Sequence, residues 1–384
     1  MTGQSDRPRV YLDHNATAPL RPEARAVMLA ALESASNPSS VHAEGRRARA
    51  LVEESRASVA SLVGASPSGV VFTSGATEAA HLALTPDLSV DGTTGLTHLL
   101  VSATDHVAVL RGHRFLAGAV TVLPVHPDGT LDLSALRDRL AEGPRAVVAV
   151  QAANNETGVI QPIAEVGALV RTHGGVLVCD AVQAAGRVDC RALGADILLL
   201  SGHKLGGPAG AGAMIIASDR VASGSPVLQG GGQERGRRSG TENVAAIAGF
   251  GAAARAGSLP GLSALRNRFE EALLDIAPDA VIFGRNAERL PNTSAFAVPG
   301  ITADRLLMAL DLDGIAVSSG SACASGKVGH SHVLEAMKVR TAFTSGAIRV
   351  SLGWDSDEVG LDRAVHALAT ALHRMRQGRR CAAA

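Results

Sequence analysis

Between Val70 and Ala217 the sequence repeats one rhythm: a short continuous apolar run, a polar or glycine-bearing turn, then a stretch with helical spacing. Apolar runs this short, bounded by turn residues, are buried strands rather than helices. They fall at 70–72, 99–102, 120–123, 146–150, 176–179, 197–200 and 213–217, with helical patterns at 77–84, 107–116, 133–141 and 163–172. Such alternation predicts an α/β fold: a mostly parallel seven-stranded sheet covered by helices. Segments 21–34 and 43–63 read as preceding helices, the second amphipathic. The rhythm stops after 217. A glycine-rich segment, 230–241, is followed by helices at 243–256 and 262–276 and by strands near 281–283, 294–297, 316–318 and 347–351. The expected organisation is a large domain over 16–256, with 1–15 and 257–384 forming a smaller α+β domain.

Composition narrows the function classes. The 36 basic and 36 acidic residues cancel, which leaves no electrostatic footprint for nucleic acid or an anionic membrane. Aromatic residues make up 2% of the chain, too few for base-stacking platforms. The polar N-terminus carries no secretory signal, and no apolar run approaches the roughly 18 residues that span a bilayer. The four cysteines, Cys179, Cys190, Cys323 and Cys381, form neither a C-x-x-C pair nor a disulfide framework. A cytoplasmic protein with no intrinsic metal, no membrane contact and no direct nucleic-acid partner is expected.

Of the 36 basic residues, 33 are arginine; the lysines are Lys204, Lys327 and Lys338. Lys204 follows the 197–200 run through Ser201-Gly202-His203 and precedes a glycine-rich turn. Desolvation there lowers an amine's pKa, and arginine cannot replace a primary amine that forms an imine. The other strand ends deliver Thr77, His106, Asn155 and Asp180 to the same edge, where ligands bind in open α/β sheets. Thr73-Ser74-Gly75-Ala76-Thr77-Glu78 reads as a phosphate cradle at a helix start, or simply as an N-cap. Asp180 at the end of a buried strand calls for a cationic partner, which a protonated pyridine nitrogen would supply, and Gln183 lies one turn beyond it. Lysine, strand-end acid and phosphate cradle are the parts of a pyridoxal phosphate site. In the C-terminal part, Cys323 lies in a loop of small residues that suits a reactive thiol as well as an inert one. Arg349, inside the 347–351 strand, fits a carboxylate clamp or a structural ion pair.

Tyr11-Leu12-Asp13-His14-Asn15-Ala16-Thr17, Thr73–Glu78, Asn154-Asn155-Glu156, Ser201-Gly202-His203-Lys204, Arg238-Ser239-Gly240-Thr241 and Ser318–Cys323 together resemble the cysteine desulfurases of the NifS/IscS type. These are class V members of the fold-type I pyridoxal phosphate enzymes. The resemblance implies that Lys204 forms the Schiff base and Asp180 meets the pyridine nitrogen. Gln183 and Asn155 would contact the ring hydroxyl and the substrate, and His106 would stack on the ring and shuttle protons. Ala76, Thr77, Ser201 and His203 would hold the phosphate, with Thr241 reaching in from the second subunit of a homodimer. Arg349, with Asn155, would bind the carboxylate of L-cysteine. Cys323 would take its sulfur as a persulfide, release L-alanine and pass the sulfur to acceptor proteins serving iron–sulfur clusters, thiolated tRNA or other thio-cofactors. The chain ends soon after its last helix, at Arg380-Cys381-Ala382-Ala383-Ala384, without the long tail with which IscS-like members dock a scaffold. Scaffold docking, and transient iron–sulfur ligation by Cys323, are therefore where the resemblance is weakest. Selenocysteine lyase or another class V lyase is the alternative among enzymes, and a sulfur-trafficking adaptor the alternative outside them.

Overall fold

Seven strands build the main sheet, in the spatial order Val70–Thr73, Gly212–Ile216, Ile197–Ser201, Val176–Asp180, Ala146–Gln151, His98–Ser102 and Val120–Leu123. The computed structural model that carries them describes residues 9–34, 37–257, 260–319 and 331–382, so Cys323 lies outside the described residues. The last five strands in that order are mutually parallel, and Gly212–Ile216 runs antiparallel to both of its neighbours. Successive side chains alternate between two apolar layers. Leu100, Val148, Leu177, Cys179 and Leu198 join one layer, while Leu99, Val101, Val147, Val178 and Ile197 join the other. With both faces covered, the strands are apolar throughout, as parallel sheets require.

The antiparallel strand shapes one end of the sheet edge. Because direction reverses on either side of it, Val70–Thr73 and Ile197–Ser201 point the same way, and their last residues, Thr73 and Ser201, both lie opposite Gly212. A Cβ at Gly212 would come within 2.6 Å of the Gly75 Cα and 2.8 Å of the Leu200 carbonyl oxygen. Only glycine lets the turn after Thr73 pass so close to the sheet edge.

A second, four-stranded antiparallel sheet has the order Val281–Ile282, Thr293–Ala297, Ile348–Ser351 and Ser318–Ser319. Its apolar cluster includes Phe269, Phe296, Leu306, Ile348 and Leu368. Val10 and Leu12 belong to that cluster as well, and Val10–Tyr11 pairs in parallel with Ile315–Ala316. The N-terminal strand thus starts in the smaller layer before the chain enters the larger one.

Three expectations change. The helix expected over 107–116 stops after Val107–Leu110, because the chain turns at Gly112 and the Arg114 amide bonds to the Leu84 carbonyl, 2.8 Å away. A Cβ at Gly112 would meet the Ala108 carbonyl oxygen at 2.1 Å. The single strand expected at 316–318 is two strands in different sheets, Ile315–Ala316 beside Val10–Tyr11 and Ser318–Ser319 beside Ile348–Arg349. The helix Ala303–Leu312 and the short pair Ser89–Val90 with Val221–Ala222 had no counterpart in the sequence pattern.

The glycine-rich segment is fastened to the open edge of the main sheet by a buried ion pair. Arg56, on the helix Ala43–Leu62, meets both carboxylate oxygens of Glu234 at 2.8 Å, and its Nη1 also donates to the Val70 carbonyl at 2.9 Å. Glu234 accepts the Phe72 amide at 2.9 Å, and the Arg56 guanidinium lies 4.9 Å from the Phe72 ring centroid. Glu234 and Arg235 both adopt left-handed backbone, with φ of 47° and 59°, which ordinary side chains hold only under constraint. Removing one member of a buried pair leaves the other charge uncompensated, at about 3–5 kcal/mol. Glu53, 3.2 Å from the Arg56 Nε, stays as a partly exposed partner and softens the loss. Glu234→Ala is therefore expected to destabilise the chain by about 3 kcal/mol, read as a lower urea midpoint at unchanged m-value.

Candidate active site

Five strand ends and one crossing segment enclose a cavity of about 510 Å³ at the carboxyl edge of the main sheet. Nine of the residues singled out from the sequence line it: Ala76, Thr77, His106, Asn155, Asp180, Gln183, Ser201, His203 and Lys204. The cavity falls within the usual range for small-molecule sites, roughly 300–1,000 Å³.

At one end, the helix Ala76–Ala83 begins with Gly75 at its N-cap and no side-chain cap. Its first amides are therefore open to an anion, and the helix dipole favours negative charge there. Thr77 does not act as the cap. Glu78 instead reaches back to the Ser74 amide at 2.7 Å and meets Arg238 at 3.0 Å. Thr17 Oγ1 lies 2.6 Å from His203 Nδ1, on the strand end beside this cradle.

At the other end, Asp180 accepts the Val182 amide on Oδ1 at 3.0 Å. Burial raises its carboxyl to about 6, against the lowering pull of that amide and of Lys204. A cation beside it would restore the charged form. Lys204 Nζ donates to the Asn15 carbonyl at 2.6 Å and to the Ala16 carbonyl at 2.7 Å. Two histidines share the neighbourhood. Burial, helped by the Lys204 charge, lowers both His106 and His203 to about 4, so their imidazoles are neutral near pH 7.

Arg349 is almost wholly buried beside the cavity rather than in its wall. Nη1 donates to the Asn155 carbonyl at 2.9 Å and Nη2 to Asp13 at 2.6 Å, while Nε has no partner among the described residues. Structural ion pair and open donor thus coexist on one guanidinium. Thr241 is exposed and does not line its own chain's cavity. Burial raises the Cys179 thiol and pushes that of Cys190 up to about 12, which makes both unsuited to act as thiolates.

Several groups here were given no role from the sequence. Asp105 is fully buried, accepts the Ser102 amide at 2.9 Å and the Gln151 amide at 2.8 Å, and is raised to about 8 by burial, with a further push from Asp180. Glu156 is raised to about 7 by burial, although Ser331 donates to it at 2.5 Å and Arg349 stands nearby. Both adjoin residues that were singled out, His106 and Asn155, and adjacency was the available signal. The carbonyls of Asn15 and Ala16, which hold Lys204, carry no side-chain signature.

Known proteins share this arrangement. The family model described as aminotransferase class-V matches residues 10–364. A cysteine desulfurase of Cereibacter sphaeroides is 41% identical over 381 residues, covering 96% of this chain and 97% of that protein. An IscS-like cysteine desulfurase of Mycobacterium tuberculosis is 39% identical over 390 residues, covering 97% and 98%. Among solved structures, a NifS-like protein from Rickettsia africae superposes with a TM-score of 0.83 at 32% identity, over 95% of this chain and 99% of that one. Matched over nearly its whole length, the chain belongs to the class-V aminotransferase family and, within it, to the NifS/IscS-like cysteine desulfurases.

Proposed function

We propose that this chain is a pyridoxal phosphate-dependent cysteine desulfurase, cytoplasmic and homodimeric, with a large domain over 16–256 and a small one formed by 1–15 and 257–384. The observation that carries the reading is the convergence of Lys204, Asp180 and the uncapped start of the Ala76–Ala83 helix on one cavity. These residues fit pyridoxal 5′-phosphate. The open amides of the 76–78 turn, with Thr77, Ser201 and His203, would hold its phosphate, and the raised Asp180 carboxyl would gain its charge against the ring nitrogen. When bound, the cofactor supplies an electrophilic carbon and an electron-accepting ring.

The chain's own groups do the rest. Lys204 would hold the cofactor through Nζ and would carry a proton to and from the substrate carbon. His106, neutral at pH 7, would lie against the cofactor ring and could accept a proton. Gln183 and Asn155 would meet the ring oxygen and the substrate. Arg349 would offer Nε, which has no partner among the described residues, to the carboxylate of L-cysteine; cysteine is the ligand named for a solved relative, SspA in complex with cysteine, at 27% identity and a TM-score of 0.76. Cys323 would take the substrate sulfur: its S–H bond and the substrate C–S bond break, an S–S bond and a C–H bond form, the carbon keeping the C–S electron pair and gaining a proton in place of the one the thiol gives up, and the carbon skeleton leaves as L-alanine. The persulfide then passes to an acceptor protein. Thr241, exposed on its own subunit, suits a residue donated to the cavity of a second copy.

Purified protein with pyridoxal phosphate is expected to show a visible cofactor band that Lys204→Ala loses. With L-cysteine and a reductant it should release alanine and sulfide. Cys323→Ala should keep the band and lose at least about 100-fold in turnover, on the order of removing a covalent nucleophile. A colourless wild type would favour the adaptor, and full turnover by Cys323→Ala would refute the persulfide route. Preference for selenocysteine would favour the lyase. Arg349→Lys keeps the charge but loses the planar fork, so KM for L-cysteine should rise roughly 10-fold, the loss of about one charge-assisted hydrogen bond, with the cofactor band unchanged.

A further inference from the structure

Arg187 is a charged group beside this site that neither the motifs nor the proposed chemistry uses. It is only partly exposed, and burial together with the Arg349 charge lowers its guanidinium to about 10. Nη1 donates to the Gln183 backbone carbonyl at 2.8 Å and to the Gln183 side-chain oxygen. Nη2 reaches the carbonyls of His14 and Lys204, both at 3.5 Å. Its hydrogen-bond partners among the described residues are all neutral, so no carboxylate explains why a cation is kept here.

The contacts fix which way round the Gln183 amide sits. A guanidinium only donates, so it must meet the amide oxygen. The Asn15 carbonyl only accepts, so it must meet the amide nitrogen, which lies 3.0 Å away. Exchanging the two ends would break both contacts at once. One N–H of the amide goes to Asn15, and the other is left for the cavity that Gln183 lines.

We propose that Arg187 is a positioning residue, which holds and polarises the Gln183 amide so that its nitrogen faces the ring oxygen of bound pyridoxal phosphate. This rests on the reading of Gln183 as a contact to that ring. A donor at the ring oxygen disfavours positive charge at the lysine–cofactor linkage, so losing it makes that linkage easier to protonate.

The test titrates the visible band of the holoenzyme against pH in wild type, Arg187→Met, Arg187→Lys, Gln183→Ala and the Arg187→Met/Gln183→Ala pair. Arg187→Met should raise the midpoint by roughly 0.5–1 pH unit, the size of one hydrogen bond to a polar acceptor. Arg187→Lys should fall between it and wild type. Gln183→Ala should shift the same way, and adding Arg187→Met should then move the midpoint no further, because the arginine acts through the glutamine. An unchanged midpoint in Arg187→Met, or its full shift repeated in the Gln183→Ala background, would overturn the assignment. If Arg187→Met does not fold, Arg187→Gln takes its place in the series. A wild type that acquires no visible band would overturn the cofactor reading itself, and this inference with it.

Discussion

Asn15 is the joint on which both sheets and the cavity at the main sheet's edge depend. Its side chain is 1% exposed and fully engaged. Nδ2 donates to the Asn155 carbonyl at 3.2 Å and to Thr293 Oγ1 at 2.9 Å, and Oδ1 accepts from Asn292 at 3.1 Å. The backbone continues the pattern: its amide bonds Ser351 Oγ, and its carbonyl receives both Gln183 and Lys204. One residue thus ties the smaller sheet, through Thr293 and Ser351, to the strand ends carrying Asn155 and Lys204. A network of this kind is strong when every member is paired, and losing one member strands several buried polar groups together.

Burial dominates the electrostatics of the edge that this joint closes. The sheet is apolar almost to its end, so each polar group delivered there is taken out of water. Asp105 at about 8 and Asp180 at about 6 are raised, while His106 and His203 at about 4 are lowered. The consequences for stability run in opposite directions. Between its ordinary value of 3.8 and about 8, Asp105 binds more proton in the folded than in the unfolded chain, so its contribution is lost as pH rises through that window. Between about 4 and 6.5 each histidine binds less proton when folded, so stability is regained as pH rises there. The folded chain therefore carries unfavourable ionisation on both sides of neutrality, as groups set aside for a charged ligand do.

Much of this was legible in the sequence, and the exceptions have a common cause. Strand 120–123 and helices 163–172 and 262–276 have the expected bounds, because local apolar periodicity decides them. Lys204 stood out through its rarity, and Asp180 through its place after a buried run. What stayed hidden depends on contacts across the chain. The 107–116 helix is cut by a hydrogen bond to residue 84, and the 316–318 run is divided between partners near residues 10 and 348. Arg187 was one arginine among 33, and its position shows only when Gln183 and Asn15 are seen on either side of the same amide.

Long-range contacts also make the short N-terminal segment carry much of the site. Asp13 holds the Arg349 guanidinium, and the carbonyls of Asn15 and Ala16 hold the Lys204 ammonium. Three peptide units span at most about 10 Å when extended, so the segment limits how far apart its two attachment points can stand. That limit is covalent, within one run of chain whose other hydrogen bonds go to both layers. Lys204 in the cavity wall and the buried Arg349 beside it are thereby held by one run of chain. The run Tyr11-Leu12-Asp13 with Asn15-Ala16 reads in sequence as a strand end and a turn, and in the fold it is the part that ties the two layers together at the cavity's edge.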